Sequence, residues 1–149
     1  MRTLFVLWVS LSLCLPSICL ADEADIIGSI RTSKGKAEVL RDDKAMPAKV
    51  GLRLLLKDIL QTGADGQLGV ILRDDTLLSL GPDTKIVVNQ FAFAPAQGHL
   101  ALVVKLFKGM VAFLSGQISK LSPESARLET PVATVGIRGT RFLVKLEEE

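Results

Sequence analysis

Leu100-Ala101-Leu102-Val103-Val104-Lys105-Leu106 makes every even-numbered side chain apolar and turns Lys105 the other way. Successive side chains leave a strand on opposite sides, so a period of two marks a strand with one face on a core. Phe142, Val144 and Leu146 repeat the device against Arg141 and Lys145, and Leu68, Val70 and Leu72 repeat it against Gly69 and Arg73. Working outward, strands are predicted near 26–32, 36–41, 52–55, 58–62, 67–73, 76–80, 84–91, 99–107, 110–115, 126–130 and 139–146, with Gly, Pro or Asp at the turns. Many short strands at this spacing predict an all-β domain, built as a single rolled sheet or a β-sandwich of jelly-roll type. A short β-solenoid-like roll is the alternative, although no residue repeat at a fixed period supports a true solenoid. Helix has room for a turn or two from Met46 to Leu56, where Pro47 and Gly51 interrupt it.

The first residues read as an export signal. Arg2 precedes an apolar run from Leu4 to Leu15, Pro16 breaks the run, and Ala21 supplies the small residue of a Sec-type cleavage site. Residues 1–21 are therefore expected to be a signal peptide and 22–149 the mature domain, in the periplasm or secreted, with no stable membrane insertion after cleavage. Pro16, the serines and the single flanking charge make a poor spanning helix. Leu13 and Ile18 stand before Cys14 and Cys19 where a lipidation site wants a small residue, which disfavours a lipid anchor.

Both cysteines lie in that leader, so no disulfide staples the mature chain and its stability must come from the core. Cleavage leaves 128 of 149 residues, a length for one domain, with no linker or low-complexity break. Removing Arg2 leaves 17 basic and 16 acidic residues with their signs interspersed. No basic stripe is present, so nucleic-acid binding loses its usual support. The closing Glu147-Glu148-Glu149 reads as a solvated end.

Groups suited to catalysis or metal binding are scarce. Zinc needs three or four matched ligands, and the mature chain offers no cysteine and one histidine, His99, beside Gly98 in an expected turn. Ser115 lacks the Gly-x-Ser-x-Gly elbow of a hydrolase. Asp74, Asp75 and Asp83 do not follow an EF-hand pattern and are explained by turn chemistry. Asp58 and Asp74 have no feature beyond their acidity to recommend them as paired glycosidase carboxylates. No glycine-rich phosphate loop precedes a helix. The expected protein is not an enzyme, and no cofactor or metal is expected.

One segment stands apart. Thr130-Pro-Val-Ala-Thr-Val-Gly-Ile-Arg-Gly-Thr-Arg-Phe142 sets Arg138 between Gly136 and Gly139 in an apolar, strand-forming run. A guanidinium facing a core needs a carboxylate or several carbonyls, and glycine in a strand marks a bulge or a close backbone approach. Asp58, followed directly by Ile59 and Leu60, is the expected partner in a partly buried Arg138–Asp58 pair that fixes how the last strand meets the sheet. The competing reading turns Arg138 toward a ligand. The Thr140 hydroxyl is expected to satisfy a backbone group where the glycines disturb the ladder.

Taken with Leu56-Lys57-Asp58-Ile59-Leu60-Gln61-Thr62-Gly63 and Leu72-Arg73-Asp74-Asp75-Thr76-Leu77-Leu78-Ser79-Leu80-Gly81-Pro82, this segment resembles the FecR-domain family, with the three blocks in the family's order from about Ile30 to Leu146. Family members usually read Gly-Asp at Lys57-Asp58 and Asp-Gly-Ser/Thr at Asp74-Asp75-Thr76. Both differences remove a glycine. Aspartate tolerates a left-handed turn position, so Asp75 is expected to hold the tight turn, and Lys57 alters the geometry before Asp58. The motif residues carried by the resemblance are Asp58, Asp74, Asp75, Gly136, Arg138, Gly139, Thr140 and Phe142.

The resemblance implies a periplasmic module of the kind found as the sensing half of membrane-spanning sigma regulators. Here the hydrophobic stretch begins at residue 4, leaving no room for a sigma-binding segment before it, which favours a freestanding exported module. Its expected role is binding or scaffolding, with an envelope protein, a glycan or peptidoglycan as partner. The alternative is a signalling component related to sigma-factor regulation of iron uptake.

Overall fold

The computed structural model describes residues 26–147; the predicted leader and its cleavage site lie outside them. Twelve strands follow in chain order: β1 (Ile26–Lys34), β2 (Ala37–Arg41), β3 (Lys44–Pro47), β4 (Arg53–Leu55), β5 (Ile59–Thr62), β6 (Gln67–Leu72), β7 (Leu77–Leu80), β8 (Lys85–Ala94), β9 (His99–Leu114), β10 (Ala126–Glu129), β11 (Thr134–Gly136) and β12 (Arg141–Leu146). One short helix, α1 (Gln117–Leu121), and two single turns of 3-10 helix complete the described elements. The fold is all-β, a single strongly curled sheet ordered β3-β2-β5-β8-β9-β7-β6-β1-β4, with β10 and β12 also on β9 and β11 on β10. Neighbouring strands are antiparallel except β9 and β10, so the rolled sheet is realised and not stacked parallel coils.

β9 makes one sheet of what would otherwise be two. Its first part runs between β8 and β10, with Val104 opposite both Val88 and Leu128. Its second part runs between β7 and β12, with Phe113 opposite both Leu78 and Phe142. The change of partners falls at Gly109, whose φ of +87° lies in the left-handed region. A Cβ there would sit 2.4 Å from Thr84 Oγ1 and 2.5 Å from Thr84 Cα. Thr84, fully buried, takes up the disturbed ladder: its hydroxyl accepts from Met110 N–H at 2.9 Å and lies 3.1 Å from the Met110 and Pro82 carbonyls. The strands expected at 99–107 and 110–115 are thus one kinked strand, because β7 and β12 resume the pairing on either side as β8 and β10 leave it.

The alternation seen in the sequence is the alternation of burial. Leu102, Val104 and Leu106 are fully buried while Phe107 is exposed, and Leu68, Val70 and Leu72 are buried between the less buried Gly69 and Ile71. Both parts of the sheet feed one core in which Leu60, Leu78, Ile86 and Phe113 are among the fully buried side chains. Burying side chains of this size stabilises by about 1.5–3 kcal/mol each. No helix forms at Met46–Leu56. Met46 instead pairs with Val39 in β3, and the chain from Ala48 to Leu52 bonds across to Ala37 and Ile30.

Candidate functional site

Asp58 immediately precedes β5 and is 5% exposed. A carboxylate so placed must be matched by donors, and Arg41 at the end of β2 supplies two, Nε to Oδ1 at 2.9 Å and Nη2 to Oδ2. Leu55 N–H adds a third at 2.9 Å, while Arg41 Nη2 also donates to the Arg53 carbonyl at 3.0 Å. The hydrogen bond to Asp58 pushes the Arg41 guanidinium further up from its already high range, with the charges of Asp58 and Asp42 adding and burial opposing. β4 ends the strand order on one side and β2 lies next to last on the other. The Arg41–Asp58 pair joins the neighbouring β2 and β5, and the bond from Arg41 to the Arg53 carbonyl clips that end of the roll to β4 at the other. The expected Arg138–Asp58 pair does not form, because Arg41 and Leu55 already occupy the carboxylate and Arg138 is exposed in the tract between β11 and β12.

Asp74 is completely buried in the β6–β7 turn. Its carboxylate accepts Thr76 N–H at 3.2 Å, the Thr76 hydroxyl at 2.8 Å and Ile118 N–H at 3.2 Å, and its carbonyl accepts Gln117 N–H at 2.7 Å. Gly116 N–H reaches the Thr76 hydroxyl at 3.2 Å. A Cβ on Gly116 would meet the Asp74 carbonyl oxygen at 2.3 Å, so only glycine lets the two segments approach this closely. Asp74 thus fastens α1 to the turn and is filled by donors, which removes it from any catalytic pair with Asp58. Asp75 has φ of +67° and holds the turn as expected, and Lys57 has φ of +72°, so both side chains stand in the left-handed conformation that favours glycine.

The segment from Thr130 to Phe142 behaves otherwise. Residues 131–136 and 138–141 are all exposed, and Ile137 alone is buried, at 0% exposure. β11 pairs with β10, and Ile137 N–H donates to the Ala126 carbonyl at 3.0 Å. At the other end Ser115, itself buried, donates its hydroxyl to the Gly139 carbonyl at 2.7 Å and its N–H to the Thr140 carbonyl at 2.9 Å. Among the described residues the Thr140 hydroxyl has no hydrogen-bond partner; its carbonyl, not its hydroxyl, does the tying. Gly139 has φ of +95°, whereas Gly136 has open space where a Cβ would stand, so only the second glycine is required by the backbone. Phe142 then returns to the sheet and stacks on Phe113, with centroids 5.1 Å apart and planes 9° from parallel.

Arg138 is left facing water, with Glu124 as its electrostatic neighbour. The Glu124 carboxyl is held below its ordinary range by its own backbone N–H first, then by the Ser122 hydroxyl, with the charge of Arg138 adding to both against a desolvation effect. Arg41 and the Thr84–Gly109 contact escaped the sequence reading. Nothing in the local sequence distinguishes Arg41 from Arg31 or Arg53 at other strand positions; its partner depends on the pairing of β2 with β5.

A family model described as FecR protein matches residues 58–149, more than half of the chain. No curated protein and no solved structure matches. The matched region begins at Asp58, yet β1, β2 and β4 before it pair with β6, β5 and β1 of the same sheet.

Proposed function

The chain belongs to the FecR protein family, and from that premise we propose that it is an exported, non-catalytic binding module which meets an envelope partner through the segment from Pro131 to Arg141. One observation carries this reading. In a fold whose other family motifs, at Asp58 and Asp74, are buried and filled with hydrogen bonds, this segment is tied down through its backbone, by β11 on β10, by Ile137 and by Ser115, while it presents Arg138 to solvent. A residue held exposed by a fixed scaffold suits recognition better than stability. The leader-like residues 1–21 support export to the periplasm or beyond. The experiment compares wild type with Arg138→Ala in pull-downs from envelope extract, using protein purified with its natural start. The expected result is a protein or peptidoglycan fraction retained by wild type and lost by the variant at unchanged melting temperature. Equal capture by both sinks the role of the segment.

The family match favours a second reading, a regulatory component in sigma-factor signalling of iron uptake. It requires a neighbouring gene for a sigma factor or for a transporter with a signalling domain. A gene neighbourhood holding neither removes it.

A further inference from the structure

We infer that the outer edge of β12 is a docking site for an extended, acidic segment of a partner protein, which joins the sheet as its next strand. Four strands stand outermost among the described residues, β3, β4, β11 and β12. The first three are four, three and three residues long, while β12 has six. Its ladder fixes which groups are free. Ser115 N–H donates to the Thr140 carbonyl, one register step beyond Arg141 opposite Leu114. Hydrogen-bonded pairs alternate in an antiparallel ladder, so Phe142, Val144 and Leu146 exchange bonds with β9. Arg141, Leu143 and Lys145 turn their N–H and C=O groups outward.

The same three residues carry their side chains on the outer face, where all are exposed and Leu143 is 61% exposed. Beside them runs an open groove with Leu77, Ser79, Ala112 and Leu114 in its lining and Arg141 at its rim. Ser79 and Leu143 both lie opposite Ala112, so small side chains floor the groove next to the exposed leucine. Two cations four residues apart bracket one apolar position, and opposite-charge and apolar pairs across strands are favourable. The matching segment places a carboxylate opposite Arg141 and Lys145 and an aliphatic side chain opposite Leu143. Lys145 already holds a carboxylate from its own chain, Glu147, at 3.0 Å in a solvent-exposed pair. The charges also disfavour a second copy of this chain: setting Leu143 on Leu143 would oppose Arg141 and Lys145 across the edge twice. Lysine on an edge strand resists indiscriminate pairing, and here it selects for acid.

This site deepens the reading of the protein as a binding module, but it does not include Arg138. The test uses the full chain with the synthetic peptide Thr-Glu-Thr-Val-Thr-Glu-Thr and its counterpart with lysine for glutamate, read by amide hydrogen exchange in NMR. The acidic peptide should slow exchange at Arg141, Leu143 and Lys145, and the lysine peptide should bind roughly tenfold more weakly or worse. Leu143→Pro removes an outward N–H without touching the β9 ladder and should abolish the protection. Should that variant unfold, Arg141→Glu combined with Lys145→Glu should reverse the preference between the peptides. Equal binding of both peptides, protection confined to other strands, or protection of these amides in a peptide-free dimer would each overturn the inference. Arg138→Ala should leave peptide protection unchanged. Equal envelope capture by wild type and Arg138→Ala with acidic-peptide protection intact would therefore fault the Pro131–Arg141 segment alone, and loss of capture in that variant with no peptide protection in the wild type would fault the edge alone.

Discussion

Lys57 and Asp75 occupy positions where left-handed backbone suits glycine, at φ of +72° and +67°. A side chain in that conformation costs roughly 1–2 kcal/mol, less for aspartate, which bonds locally. Lys57→Gly should therefore raise stability by about 1 kcal/mol and Asp75→Gly by less, as read from denaturant midpoints. For Asp58 and Arg41, whose side chains are 4% and 26% exposed, loss of either partner should cost about 2–4 kcal/mol, below a fully buried pair because the guanidinium is partly solvated. A double-mutant cycle should return a favourable coupling for Arg41 with Asp58 and none for Arg138 with Asp58. Arg138→Ala should leave stability within about 0.5 kcal/mol. It should also raise the titration midpoint of Glu124, followed by NMR, since one of the influences holding that carboxyl low is the arginine's charge. With its folded value depressed, Glu124 contributes stability above its unfolded pKa and loses it as pH falls through the folded one. The need of a buried carboxylate for a cation was legible at Asp58. Its choice among the arginines was not, because Arg41 is delivered by the pairing of Val39 with Leu60 and Leu40 with Ile59, a long-range fact.

Strands were legible wherever one face is buried, since alternation at Leu68–Leu72, Leu100–Leu106 and Phe142–Leu146 is a local record of a non-local core. β3 escaped because Lys44, Ala45 and Pro47 are exposed and leave no such record. The continuity of β9 escaped for a different reason. Lys108-Gly109 has the composition of a turn, and only the strands on either side keep it a ladder. Gly109→Ala should cost about 2–4 kcal/mol, from positive φ and from the clash with Thr84. Asp74→Asn tests the turn that holds α1. All the groups meeting the carboxylate are donors, so an amide nitrogen there faces hydrogens. The substitution should lose about 2–3 kcal/mol and speed exchange of the Ile118 amide in NMR.

Across the whole molecule, the family match and the folded unit do not coincide. A fragment beginning at Asp58 keeps every matched residue but loses β1, β2, β4 and Arg41. It should give a poorly dispersed amide spectrum and no cooperative melt, whereas residues 26–149 should unfold in one transition; a cooperative fragment would refute the shared core. The all-β class followed from strand spacing, which allowed a rolled sheet or a sandwich, while the closing of the roll depends on Arg41, beside Asp58 at one end, reaching the backbone of β4 at the other. β9 carries one more consequence, for the order in which the chain acquires shape. Synthesis delivers the N-terminus first, and the strands before His99 can assemble only as β3-β2-β5-β8 and β4-β1-β6-β7, two half-sheets with no strand in common. β9 follows both, so a chain ending before His99 holds two half-sheets with nothing to join them, each left with an open edge, at β8 and at β7, that only the later strand covers.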